Sequence, residues 1–384
     1  MKIVYCINDV YTIGGVEMVT IAKANALAEI PDNHVWIVVA DNRYSAMSRL
    51  KKVSVIDLAV HYYQNDGKGG YVSALIDFWK KSRFHCQRLE QMLNDINPDV
   101  VISDGRLSRY MVTNIKLKSN PVLIRELHSA RDFRLHNATS RYSYWAACIG
   151  DVIDYHWKIK RYDKIVVLTE AEKSGSWKKW DKVTVIPNPL PHKSSHRSPL
   201  TEKVAITVGR LAHIKNFVSL ISIWAKVNQS HPDWKLQIWG EGEERFKLEA
   251  QIVRLGLEGK VFLMGYTAEV QEKMNDASIF LLTSISEGFS LATLEAMSVG
   301  LPSVAYNCPG GIGYVVKDGE TGFLVPMNDE DAFAENVCTL IENEELRNAM
   351  GKAALDESKQ YSMEEITQRW MTLFQELLVK KRGI

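Results

Sequence analysis

Long hydrophobic runs are missing from this 384-residue chain. No stretch approaches the roughly eighteen apolar residues that a membrane-spanning helix needs. Cysteine is scarce. The five that occur, Cys6, Cys86, Cys148, Cys308 and Cys338, are odd in number, and no two stand in a Cys-x-x-Cys spacing. That argues against a disulfide framework or a zinc ribbon and fits a reduced, cytoplasmic setting. No His-Glu-x-x-His run offers a metal site, no Gly-x-x-x-x-Gly-Lys-[Ser/Thr] run a phosphate loop, and no Gly-x-Ser-x-Gly run a hydrolase nucleophile. The dinucleotide fingerprint Gly-x-Gly-x-x-Gly is absent too. Ile13-Gly14-Gly15-Val16-Glu17-Met18 lacks the third glycine, and so does Gly240-Glu241-Gly242-Glu243-Glu244-Arg245, whose acids would repel a pyrophosphate. Asp329-Glu330-Asp331 reads as a helix cap and first turn, not as a metal-binding acidic pair. The N-terminal segment has no apolar run of leader length.

Net charge is also nearly absent, at +1. With no nucleic-acid-binding motif, this argues against a nucleic-acid partner. The balance hides an asymmetry. Residues 1–190 hold 27 Lys/Arg against 20 Asp/Glu, whereas residues 191–384 hold 20 against 26. A basic first half suits an anionic partner, such as a phosphate-linked acceptor or the inner face of a membrane met peripherally. The same charges also fit a solvated face with no partner.

What is present is an ordinary globular composition, 46% apolar and 24% charged, at a length that suits two domains. Short β-branched runs alternate with longer amphipathic ones. Lys2–Ile7, His34–Ala40, Val53–Leu58, Asp99–Ser103, Val122–Arg125, Lys164–Leu168 and Val183–Ile186 read as strands. Val16–Glu29 and Tyr71–Asn94 read as helices. Residues 187–199, rich in Pro, Ser and His, read as a linker. The alternation then restarts at Val204–Val208 and runs through Trp234–Trp239, Val261–Leu263, Ile279–Leu282, Leu301–Ala305 and Gly322–Val325. A long amphipathic helix, Met363–Lys380, ends the chain. Strands alternating with helices imply parallel sheets covered on both faces, with ligands beyond the carboxyl ends of the strands.

The polar signals fall on the loops at those ends. Glu287-Gly288-Phe289 is a loop after a strand, and a helix starts near Ser290. Its free N–H groups and positive dipole end form an anion site. Glu295, among Leu291, Leu294 and Ala296, is a carboxylate that a ribose diol would satisfy, or an ordinary surface glutamate. Gly209-Arg210-Leu-Ala-His-Ile-Lys215-Asn216 follows the first strand of the second half. Arg210 offers a planar fork for phosphate and Lys215 a point charge, unless the loop is simply solvated. Gly14-Gly15 would let backbone approach a phosphate or would make a tight turn. His128, in Arg125-Glu126-Leu127-His128 at a strand end, is a candidate hydrogen-bonding group or a structural histidine. Cys308-Pro309-Gly310-Gly311-Ile312-Gly313 suits backbone contacts.

Taken together, these motifs resemble the retaining glycosyltransferases of the GT-B architecture, in glycosyltransferase family 4. Glu287-Gly-Phe-Ser-Leu-Ala-Thr-Leu-Glu295 is similar to that family's E-x7-E segment. Gly209-Arg210-Leu through Lys215-Asn216 is similar to its diphosphate loop, and Gly14-Gly15-Val16-Glu17 to its N-terminal glycine loop. Trp239-Gly240-Glu241-Gly242, Met264-Gly265-Tyr266 and Lys317-Asp-Gly-Glu-Thr-Gly322 follow in the family's order. The resemblance implies an α/β fold of two Rossmann-like domains, 1–190 and 191–362, whose parallel sheets face across a donor/acceptor cleft. Residues 363–384 would pack back on the first domain. It implies a nucleotide-sugar donor, by default a UDP-sugar, a glycan or lipid-linked oligosaccharide acceptor, and no metal or other cofactor. Arg210 and Lys215 would hold the diphosphate, Glu295 the ribose, and Glu287 the transferred sugar beside the backbone of Gly288, Phe289, Ser290 and Leu291. Gly15 would approach the diphosphate, His128 the donor sugar, and Gly265 and Tyr266 the base. The family's Pro-Glu after the glycine loop is replaced by Gly311-Ile312-Gly313-Tyr314, which leaves sugar specificity open. An epimerase or phosphorylase of the same fold, or a non-catalytic nucleotide-sugar-binding subunit, is the alternative.

Overall fold

The computed structural model describes the chain apart from residues 10–14, 42–49, 63–70, 105–110, 129–140, 154–156, 192–195 and 384. Strands β1 (Lys2–Asp9), β2 (His34–Asp41), β3 (Ser54–Asp57), β4 (Val100–Ser103), β5 (Val122–Glu126), β6 (Lys164–Val167) and β7 (Val183–Val185) form one sheet in the order β3-β2-β1-β4-β5-β6-β7. Strands β8 (Val204–Val208), β9 (Lys235–Trp239), β10 (Val261–Gly265), β11 (Ile279–Leu282), β12 (Ser303–Tyr306) and β13 (Gly322–Val325) form a second, ordered β10-β9-β8-β11-β12-β13. Every neighbouring pair in both sheets is parallel. In each sheet the order reverses direction beside the first strand, which opens a crevice at the carboxyl ends there.

Parallel strands need crossovers, and helices supply them. In chain order the described helices are α1 (Gly15–Glu29), α2 (Tyr71–Ile96), α3 (Arg141–Ile153), α4 (Glu170–Ser174), α5 (Phe217–Ser230), α6 (Arg245–Arg254), α7 (Val270–Asn275), α8 (Leu291–Ser298), α9 (Ile312–Val315), α10 (Glu330–Glu342), α11 (Glu344–Ser358) and α12 (Met363–Arg382). Because side chains alternate across a strand, Ile3, Tyr5, Val35 and Ile37 meet α1 and α12 on one face of the first sheet. Val4, Cys6, Val38 and Ala40 meet Leu89 and Leu93 of α2 on the other. Both faces are therefore covered, which explains why β1 reads as an unbroken apolar run.

The last helix is tied to the first sheet, although the segment before it packs with the second. Ile366, Trp370 and Phe374 of α12 enter the core of the first sheet. Lys381 Nζ lies 2.5 Å from Asp163 Oδ2 and donates to the Pro121 carbonyl at 2.6 Å. The chain thus passes between the sheets twice. The two passages touch, since the Leu190 N–H donates to the Tyr361 carbonyl at 2.7 Å. Leu168, from the end of the first sheet, shares a small core with Phe289, Leu294, Met297 and Tyr361.

Candidate active site

Three loops at the carboxyl end of the second sheet are stitched to one another by backbone bonds. After β8, the Gly209 N–H donates to Trp239 O at 2.9 Å and the Leu211 N–H to Glu241 O at 3.0 Å. After β9, the Gly240 N–H donates to Gly265 O at 2.8 Å. The loop after β11 grips the far end of the first one. Thr283 Oγ1 donates to the carbonyls of Lys215 and Asn216, at 3.1 and 3.2 Å, and the Ile285 N–H donates to Ile214 O at 2.9 Å.

That stitching brings together two residues 72 positions apart: Lys215 Nζ lies 2.6 Å from Glu287 Oε1. Ser284 Oγ donates to the same carboxylate oxygen at 2.6 Å. The pair is only partly buried, with side chains 23% and 11% exposed. An ammonium has three donors. Glu287 occupies one, which leaves others for an incoming anion. The backbone of Glu287 is held as well, its N–H donating to Pro309 O and its carbonyl accepting from Gly311. The glycine-rich loop after β12 thus serves as the floor under Glu287.

Just beyond lies the start of α8. Ser290 is its N-cap, accepting the Thr293 N–H, and the two hydroxyls lie 2.8 Å apart. Gly288 and half-buried Leu291 flank the buried Phe289, whose ring packs edge-on against Tyr361 with centroids 5.7 Å apart. Glu295 follows one turn and a half into the helix, and burial pushes its carboxyl up to about 7. A group so placed is ready to gain from hydroxyl donors that favour its charged form.

The first domain reaches this site through Gly15, at the start of α1. A Cβ on Gly15 would lie 2.9 Å from Leu291 Cδ1, so a side chain there would have to displace the tip of that leucine. Gly14 lies outside the described residues. Gly265 ends β10, with φ at +83°, and Tyr266 beside it is exposed, as is Arg210 at the mouth of the β8 loop.

His128 belongs to a separate, buried cluster at the carboxyl end of the first sheet. Its Nε2 lies 3.3 Å from Asp104 Oδ2 and 3.5 Å from Glu126 Oε1. Thr20 Oγ1 of α1 donates to Asp104 Oδ2 at 3.2 Å, and Lys23 Nζ pairs with Glu126 Oε1. Burial alone would lower the His128 pKa, but Asp104 and then Glu126 outweigh it and hold it above its ordinary value.

Sequence reasoning singled out His128, Lys215, Glu287 and Glu295 but not the side chains that the structure places around His128, Lys215 and Glu287: Thr20, Lys23, Asp104, Glu126, Thr283 and Ser284. For Thr20 and Lys23 a signal existed. They stand with Ile21, Ala24 and Leu27 on the buried stripe of α1, where polar residues require partners.

Residues 191–357 match the family model described as Glycosyl transferases group 1. An uncharacterized glycosyltransferase of Haemophilus influenzae is 29% identical over 381 residues, covering 96% of this chain and 98% of that one. A Staphylococcus aureus poly(ribitol-phosphate) alpha-N-acetylglucosaminyltransferase is 29% identical over 55% of this chain and only 43% of its own length. The crystal structure of Staphylococcus aureus TarM with fondaparinux, alpha-GlcNAc-glycerol and UDP superposes with a TM-score of 0.77 at 17% identity, over 97% of this chain and 99% of that one. Two all-parallel sheets, a family match over the residues that form the second, and a relative aligned along nearly the whole chain agree: this is a glycosyltransferase of GT-B fold whose residues 191–357 match Glycosyl transferases group 1.

Proposed function

We propose that this enzyme transfers a hexose or N-acetylhexosamine from a uridine diphosphate sugar, with retention of anomeric configuration. The acceptor is a glycan or lipid-linked oligosaccharide of surface-polysaccharide assembly. The observation that carries the proposal is the Lys215–Glu287 pair, 2.6 Å apart beside the start of α8. Arg210 and Lys215 hold the diphosphate and stabilise it as it departs. Their charge takes the role that a divalent cation fills elsewhere. Glu295 accepts from the ribose hydroxyls, and Gly265 and Tyr266 flank the base. Glu287, oriented by Ser284, meets hydroxyls of the transferred sugar. The acceptor oxygen bonds to the anomeric carbon on the face the phosphate leaves. The anomeric carbon–oxygen bond to that phosphate breaks, and the phosphate takes up the acceptor proton. UDP bound in the TarM structure and the phosphate polymer in the name of the second relative support the donor and acceptor classes.

Peripheral attachment to an anionic membrane is part of the proposal. Among the described residues no helix is long and apolar enough to cross one. Two helices of the basic first domain nevertheless turn apolar residues outward. On α2, Ile76, Trp79 and Phe84 are exposed beside exposed Lys80, Arg83 and Arg88; on α3, Trp145, Ile149 and Val152 are exposed at helical spacing. Aromatic rings interleaved with basic side chains suit a lipid headgroup layer.

Thermal stabilisation by a panel of nucleotides and nucleotide sugars tests the donor. UDP at a hundred times its Kd should add about 2.7 kcal/mol, and Glu295→Ala should abolish the shift. Stabilisation by adenosine or guanosine diphosphate alone refutes the uridine assignment. Activity should survive strong chelation, and loss restored by manganese would remove Arg210 and Lys215 from their assigned role. Sedimentation with phosphatidylglycerol vesicles but not phosphatidylcholine vesicles, lost in Trp79→Glu, tests the membrane face.

A further inference from the structure

Around His128 the structure assembles more charge than hydrogen-bonding a sugar requires. From α1 comes Lys23, from the residue after β4 Asp104, and from β5 Glu126. The Tyr5 hydroxyl of β1 is acted on by both carboxylates. Lys23 is 2% exposed, and its ammonium also stands over the Trp370 ring of α12, 5.1 Å from the centroid. A lysine does not occupy such a place for packing alone, since burying an ammonium is costly unless it is paired.

The geometry fixes which end of the His128 ring can change. Both carboxylate oxygens approach Nε2, and a carboxylate accepts but does not donate. Nε2 therefore keeps its proton in either state of the ring, and the proton that comes and goes is the one on Nδ1. Both ring nitrogens are buried without a well-formed hydrogen bond among the described residues, and it is Nε2, not Nδ1, that the two carboxylate oxygens approach. With two carboxylates, Lys23 and a cationic ring, the four groups sum to zero. A neutral ring leaves one uncompensated negative charge.

We propose that Lys23 is a positioning residue for His128: by taking up Glu126 it limits that carboxylate's pull on the ring, and so decides whether Nδ1 meets the donor sugar as a hydrogen-bond donor or an acceptor. The proposal rests on the reading that His128 contacts the donor. Loss of Lys23 frees Glu126 to act on the ring and holds the Nδ1 proton to higher pH. Loss of Glu126 releases that proton at lower pH. A residue that merely packs would give both variants the same sign, through loosening, or no shift at all.

The test is a ring-nitrogen magnetic resonance titration of the full-length protein, with His128→Asn used to assign the signal. In the unaltered enzyme His128 should titrate above the ordinary histidine value of about 6.5. Titration at or below that ordinary value overturns the proposal. Lys23→Met should raise the His128 midpoint and Glu126→Gln should lower it, each by about one pH unit. Lys23→Arg should leave it unchanged. The double variant Lys23→Met/Glu126→Gln, which strands no buried charge, should fall between the single variants. Shifts of one sign overturn the proposal. The pH profile of kcat/KM should move in the same order. Opposed shifts in the ring with an unmoved profile would leave the charge network standing and refute its link to the donor.

Discussion

The two sheets are built alike, yet they end in unlike polar sites. At the first, Lys23, Asp104, Glu126 and the His128 ring are sealed from solvent and balance one another. At the second, Lys215 and Glu287 form an ion pair of similar length in partly open surroundings. The contrast separates two uses of charge. A sealed cluster cannot exchange partners without stranding a charge, so it holds one group in a defined state. An open pair loses little when a ligand enters, so Lys215 can share itself between Glu287 and a diphosphate. In the first site the charges are balanced before any ligand arrives; in the second an anionic ligand would complete the network.

The largest expected effect is on stability in the sealed site. Lys23→Met strands Glu126 and should cost about 3–5 kcal/mol in urea unfolding, with Lys23→Met/Glu126→Gln regaining most of it. Lys215→Ala should cost no more than about 1 kcal/mol, because its pair is partly solvated. Equal costs would erase the distinction between the sites. Activity should show the reverse emphasis: Lys215→Ala should lower kcat on the order of 10²–10³-fold, measured with saturating donor. A loss under tenfold would make Lys215 a spectator.

Glu295 sharpens the comparison through pH. Its carboxyl is held near 7 in the folded enzyme, against an ordinary 4.5. The native state thus binds this proton more tightly than the unfolded chain. Its contribution to stability is complete below about 4.5 and is lost as pH rises through 7. On the proposed role of Glu295 donor binding runs the other way, because the ionised carboxylate is the stronger acceptor for ribose hydroxyls. Nucleotide affinity, measured by calorimetry, should fall by up to about tenfold per pH unit below 7, and Glu295→Gln should flatten the dependence. A pH-independent affinity in the unaltered enzyme would remove Glu295 from the ribose.

The smallest effect concerns the seam between the domains. Gly15→Ala places a methyl 2.9 Å from Leu291 Cδ1, and the flexible leucine tip can give way. Donor affinity should weaken a few-fold, on the order of 1 kcal/mol, and Leu291→Ala in the same chain should restore it. Failure of that rescue would mean that Gly15 serves its own backbone and not the approach of the second domain.

Most strands were legible because buried parallel strands leave short, β-branched, uninterrupted runs: Val204–Val208, Ile279–Leu282 and Gly322–Val325 lie where periodicity puts them. Helix α11 was not assigned. Its central Gly351 lowers helix propensity, yet it is required because a Cβ there would lie 2.3 Å from the Gly300 carbonyl. Helix α3 was also unassigned, since its apolar stripe faces outward and gives no core pattern to read. In the site, Glu287 and Glu295 were legible because one loop and one helix carry both within nine consecutive positions, a spacing that local geometry preserves.

The sequence by itself determined the alternation of strands and helices, the break near residue 190, the E-x7-E segment and the basic loop after β8, because each is written in neighbouring residues. Only the tertiary structure decided that Lys215 meets Glu287, that Gly15 faces Leu291, and that Lys23, Asp104 and Glu126 close around His128. Those partners stand tens of residues apart. Which strand end delivers a side chain to which loop is set by sheet order and by the return of α12 to the first sheet, and neither leaves a trace in local composition.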